Sequence, residues 1–160
     1  MLISSLEEII PVLEDAHKKT PIEPRIEKLE NLLSIDKETF REREPFLSQK
    51  IFPIVLARID DKPRVSEVAL KVGKFFVEHF SIQVFPLICS FFFENMREHS
   101  KWRTKEGALI LINDYMKRVE FNDRDLLSAS LPELVNNITT LPVSYTHLRA
   151  HETRHDLVCR

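Results

Sequence analysis

The densest concentration of reactive groups lies toward the C-terminus. His147, His151 and His155 recur every four residues, with Glu152 and Cys159 close by. On a helix such residues stack on one face, and neutral imidazoles at that spacing can chelate zinc. A second concentration is cationic. Lys101, Arg103 and Lys105 surround Trp102 just after His99, and Arg58, Lys62 and Arg64 form a similar stretch earlier in the chain. Cations there can hold phosphates without reading sequence, and an indole offers a stacking face to a base. The plainer expectation is a solvated loop, with Asp60 and Asp61 beside Arg58, and a Trp102 that seals the turn between paired helices. The residues to follow as partner contacts are therefore Arg58, Lys62, Arg64, Lys101, Trp102, Arg103 and Lys105.

Other chemistry finds no footing. Ser128 and Ser130 have no matched histidine and acid. No G-x-x-x-x-G-K-[ST] phosphate loop occurs. Cys89 sits in an apolar run, which predicts a buried, reduced thiol, and two cysteines do not make a disulfide framework. The expectation is a non-enzyme with no cofactor, no metal and no small-molecule substrate. The formal charge of −2 gives no bulk pull toward nucleic acid, though a local basic edge remains open. No segment has the flanks of a signal peptide, and the most apolar stretch, residues 82–93, is too short to span a bilayer. A cytoplasmic chain without a membrane partner is expected.

The histidine triad loses its appeal once its context is read. Residues 143–153 spell VSYTHLRAHET, which resembles a translated sequencing adapter, and the closing Leu157-Val158-Cys159-Arg160 resembles the adjoining primer in the same frame. This predicts a non-native tail over 143–160 and a body, 1–142, that is truncated. Without the tail the formal charge moves only from −2 to −3.

The body must position what remains, and its apolar residues follow helical spacing. Val65, Val68, Ala69, Val72, Phe75 and Phe76 form one stripe. Ala108, Leu109, Ile112 and Met116 form a second, and Ile22, Ile26, Leu29, Leu32 and Leu33 a third. Pro11, Pro53, Pro86 and Pro132 lie in apolar helical segments separated by 42, 33 and 46 residues. That spacing falls near the period of about 40 of HEAT-like helix pairs, with the first helix of each pair kinked or restarted at its proline. The second helices align at an offset of 39, with Arg64, Glu67, Ala69 and Leu70 over Arg103, Glu106, Ala108 and Leu109. Small Ala lets helices approach, and each pair leaves an apolar face that only the next can cover. The fold class is all-α, a HEAT-like α-solenoid of about three and a half helix pairs. Helices are expected at 4–18, 22–35, 46–59, 63–79, 81–98, 102–118 and 124–141.

On the last, Leu127, Leu131, Leu134, Val135 and Ile138 form a face expected to lie partly bare. Phe76, Phe80, Phe85, Phe91, Phe92 and Phe93 are expected in the core. His79 and His99 read as helix-end or surface residues. Arg41, Glu42, Arg43 and Glu44 read as a solvated linker or helix start.

The order Asp61-Lys-Pro-Arg-Val-Ser-Glu67-Val-Ala69, then Phe85-Pro86-Leu87, then Lys101-Trp102-Arg-Thr-Lys105-Glu-Gly-Ala-Leu109, then Leu131-Pro132-Glu133-Leu134-Val135 resembles the N-terminal HEAT region of fungal-type translation elongation factor 3. It is similar, too, to the HEAT arrays of the related general-control translational activator. The resemblance covers about residues 46–141. It implies ribosome association through ribosomal RNA and proteins, with ATP hydrolysis in cassettes far downstream. No catalytic residue carries over. A HEAT array that binds tubulin or a transport factor is the alternative from another class.

Overall fold

In the computed structural model, residues 6–15, 21–97, 100–118, 125, 128, 129 and 131–139 are described. Proline and apolar spacing set most of the helix starts. The helices are α1 (Ile9–Glu14), α2 (Glu23–Leu33), α3 (Lys37–Phe46), α4 (Phe52–Arg58), α5 (Pro63–His79), α6 (Phe85–Met96), α7 (Trp102–Arg118) and α8 (Leu131–Thr139). Pro53, Pro86 and Pro132 each stand second in their helices, where the missing N–H has no intrahelical acceptor to satisfy. At Pro53 the helix is nonetheless continuous with the turn before it. Pro63 opens α5, and a 3-10 turn, Ile82–Val84, leads into α6.

The long first helix of the second pair corrects the expected start at residue 46. It begins at Lys37, where Asp36 caps it by accepting from the N–H groups of Glu38 (3.1 Å) and Thr39 (2.9 Å). Those bonds, Thr39 foremost, hold the Asp36 carboxyl below the usual carboxylate range. Arg41 to Glu44 are thus helical, and Pro45 lies inside α3. A π-helical segment, Leu47–Ile51, joins α3 to α4. The buried residues explain it. Leu47, Ile51, Val55 and Ile59, and Ser48, Phe52 and Leu56, recur at intervals of four. In an α-helix that interval drifts by about 40° per step, and a wider turn restores the phase.

The helices stack as successive pairs. Within pairs, α1 packs on α2, α4 on α5 and α6 on α7. Between pairs, first helices meet first helices (α1 with α4, the π segment with α6, α6 with α8) and second helices meet second helices (α2 with α5, α5 with α7). One apolar cluster runs through the stack from Leu6 to Leu134. The offset of 39 holds in burial: Val65 and Thr104, Ala69 and Ala108, Val72 and Leu111, and Phe76 and Tyr115 are all buried at matching positions. The aromatic core forms around Phe52, Phe76, Phe80 and Phe92, with Phe40 joining from α3; Phe91 is half-buried.

Glycine marks the tightest approaches. A Cβ on Gly73 would lie 2.9 Å from Leu111 Cδ1, and one on Gly107 2.8 Å from Ile59 Cγ2. On α8, Leu134 is buried while Leu131, Val135 and Ile138 stay exposed; Leu127 lies outside the described residues. Among the described residues no single helix is long and apolar enough to cross a membrane. The pair Pro63–His79 and Ile82–Met96 passes together but is bent by 116°.

Candidate partner-binding edge

The two cationic stretches occupy successive turns on one edge of the stack. The turn between α4 and α5 is closed by its own hydrogen bonds. Ser66 Oγ donates to the Ile59 carbonyl at 2.5 Å, and the Lys62 N–H donates to Asp61 Oδ1 at 2.7 Å. Asp61 then faces inward. Its Oδ2 accepts from Arg25 Nη1 at 2.5 Å and lies 3.4 Å from Arg58 Nη1. Arg25 is 2% exposed, so this is a buried charge cluster linking α2 of the first pair to the turn of the second. Asp60, beside it, accepts from Lys101 Nζ, so the next turn is tied to this one.

The seven residues followed from the sequence therefore divide. Arg58 is turned inward onto Asp61 and leaves the candidate surface, because the carboxylate beside it is buried and recruits it. Lys101 is exposed but already held by Asp60. Lys105 is half-buried and engaged within the chain. Lys62, Arg64 and Arg103 are exposed and make no ion pair among the described residues. Trp102 does not seal the turn: it is 50% exposed, with the Arg103 guanidinium 5.7 Å from its ring centroid.

Several consequential side chains escaped sequence reasoning. Arg25 is one, though its register with Leu29 and Leu32, four and seven residues on, was a signal: a charge on an apolar stripe needs a buried partner. At the opposite edge, Glu44 accepts from the N–H (2.5 Å) and hydroxyl (2.9 Å) of Ser81. Tyr115 Oη donates to the Ser81 carbonyl at 3.2 Å, and Arg118 donates to the Phe80 carbonyl while lying over the Tyr115 ring. A groove of about 450 Å³ opens beside them, lined by Lys74, Val77, Glu78, Asp114, Lys117 and Arg118. Within it Asp114 sits 3.7 Å from Lys74 and 3.9 Å from Lys117.

The remaining candidates are inert or undescribed. Burial pushes the Cys89 thiol up from 9.0 to about 12, with the charge of Glu133 adding to the effect. A thiol so held is a poor nucleophile. His79 ends α5 with Nδ1 2.8 Å from the Phe75 carbonyl, its ring against Phe75 and Phe40. Ser128 Oγ donates to the Asp125 carbonyl. Among the described residues no group of three or more His, Cys, Asp or Glu is placed to hold a metal. His99, Ser130, His147, His151, His155 and Cys159 lie outside the described residues.

Helix pairs stacked around one apolar slab, with their unspent charge in the turns, define a HEAT-type helical-repeat scaffold. Comparison with protein families agrees: the family described as EF3 N-terminal HEAT repeat matches residues 5–141, and the chain belongs to it. Among curated proteins and among solved structures, no match is found.

Proposed function

We propose that this chain is a ribosome-associated HEAT scaffold of the elongation-factor-3 type, acting in the cytoplasm as a rigid binding surface rather than as a catalyst. Membership of the EF3 N-terminal HEAT repeat family carries the reading. The three uncompensated cations on adjoining turns support it, because a ribosomal surface is dominated by phosphate. The mechanism is passive. Stacked pairs hold the turns at fixed spacing, and Lys62, Arg64 and Arg103 meet phosphate or acidic protein without rearrangement.

Sedimentation with purified ribosomes over a salt series tests it. Pelleting should be strong at low salt and fade as salt rises. The triple variant Lys62→Glu, Arg64→Glu, Arg103→Glu should pellet weakly at every salt. Pelleting with tubulin but not with ribosomes would overturn the reading. The full reading frame separates the elongation-factor type from the general-control activator, since paired ATP-binding cassettes belong to the former. Residues 143–160 are set apart in the same proposal as a non-native tail, supported by a family match that stops at residue 141. DNA sequence across the codon for Pro142 in an uninterrupted clone tests that part.

A further inference from the structure

We infer that Trp102 is a stacking platform for an unpaired RNA base, flanked by phosphate contacts from Lys62, Arg64 and Arg103. The inference rests on the ribosomal reading of this edge and names what is touched there: a single-stranded or looped-out nucleotide rather than duplex RNA.

A large aromatic ring left half-exposed at a turn needs a reason, because the ring alone could hide substantial apolar area. Tyr115, on the same helix, is fully buried and stacked on Phe85 at 5.0 Å. Trp102 instead stands out with the Arg103 guanidinium beside its ring, an arrangement that orients the indole. Guanidinium and indole are both flat groups on which bases stack. Among the described residues cations outnumber acids on these two turns, with Glu67 and Glu106 exposed one turn further along α5 and α7. Asp60 and Asp61 are consumed by Lys101, Arg25 and Arg58, which leaves Lys62, Arg64 and Arg103 as the cations of the two turns that make no ion pair among the described residues. The Asp60 to Lys101 link ties the two turns together, so the cations of one and the ring of the other share an edge. An aromatic face set among cations suits a polyanion that carries flat rings. In an A-form duplex the base faces are covered by their neighbours, so an unpaired base is required. An acidic peptide would satisfy the cations and leave the ring unused.

Trp102 is the single tryptophan of the chain, which makes intrinsic fluorescence a direct readout. The full chain is titrated with an unstructured RNA of about 10 nucleotides, with the duplex of the same sequence, and with a poly-glutamate peptide. The single strand should quench the emission; the duplex and the peptide should leave it unchanged. By anisotropy of labelled RNA, Trp102→Ala should weaken binding about tenfold and Trp102→Phe should recover most of the loss. Circular dichroism of both variants checks that the helices persist.

Absence of RNA binding overturns the inference, as does binding without quenching, equal quenching by the peptide, or unchanged affinity in Trp102→Ala. The ribosomal reading is judged apart from it. If Trp102→Ala binds RNA as wild type does and the wild-type chain still pellets with ribosomes, stacking is wrong and ribosome association stands. If the wild-type chain does not pellet, the broader reading falls.

Discussion

Asp61 lies between two guanidinium groups, and that geometry decides which of the three can be removed at low cost. Truncating Asp61 leaves Arg25 buried without this carboxylate, whereas replacing Arg25 by an apolar chain of similar volume leaves Asp61 with Arg58. Asp61→Ala is expected to cost about 3 kcal/mol and Arg25→Met about 1 kcal/mol or less, read from urea unfolding midpoints. Equal losses would mean the cluster is not organised around Asp61. The same residues mark how far the sequence could be read. That Arg25 sits on an apolar face was visible from its spacing to Leu29 and Leu32. That its partner is Asp61, 36 residues away, was not, since only the stacking of α2 against α5 brings them together. Asp61 therefore read as a neighbour of Arg58 in a solvated loop, and Arg58 as a surface cation.

At the scale of elements, the second helices were legible and the N-terminal half of the long first helix was not. The spans 63–79 and 102–118 were read as they occur, because each begins at a sharp marker (Pro63, Trp102) and carries an unbroken stripe at helical spacing. Residues 37–45 defeat that logic. They bury one side chain, Phe40, so no apolar stripe marks them as a helix, and the alternating charges before Pro45 fit a solvated linker as well as a helix start. The glycines escaped for a related reason. An interior glycine costs a helix about 1 kcal/mol relative to alanine, so Gly73 and Gly107 each needed a cause that lay on another helix.

For Gly107 that cause is Ile59, whose branched Cγ2 is attached too near the backbone to swing aside. Gly107→Ala is expected to destabilise by about 1 kcal/mol despite its better propensity. Thermal unfolding decides it. A gain in stability would show that the contact relaxes freely. Gly73 opposes the tip of Leu111, a softer neighbour, so Gly73→Ala should cost less.

For the whole molecule, stability is a sum of pair strengths and contacts between neighbouring pairs. Helix α5 is flanked by α2 and α7 and backed by α4, whereas α8 meets α6 and leaves Leu131, Val135 and Ile138 exposed. Amide hydrogen exchange should therefore be slowest in the middle of α5 and faster by orders of magnitude in α8, with opening graded along the stack. Uniform protection from α1 to α8 would indicate a single cooperative block instead. The stripe that repeats from pair to pair was what made this arrangement readable. The number of pairs followed from the prolines, but how adjoining turns are fastened did not.

That fastening differs between the two edges of the stack. One edge is sewn by opposite charges, Arg25 to Asp61 and Lys101 to Asp60; the other by donors closing on main-chain carbonyls at Phe80 and Ser81, by Glu44 gripping the Ser81 amide, and by Lys74 reaching Asp114. Dissolved ions slacken the exposed stitches at Lys101 and Lys74 and scarcely touch the main-chain ones or the buried Arg25. Each edge thus keeps a closure that salt does not loosen, and neighbouring turns hold their spacing whatever the ionic medium.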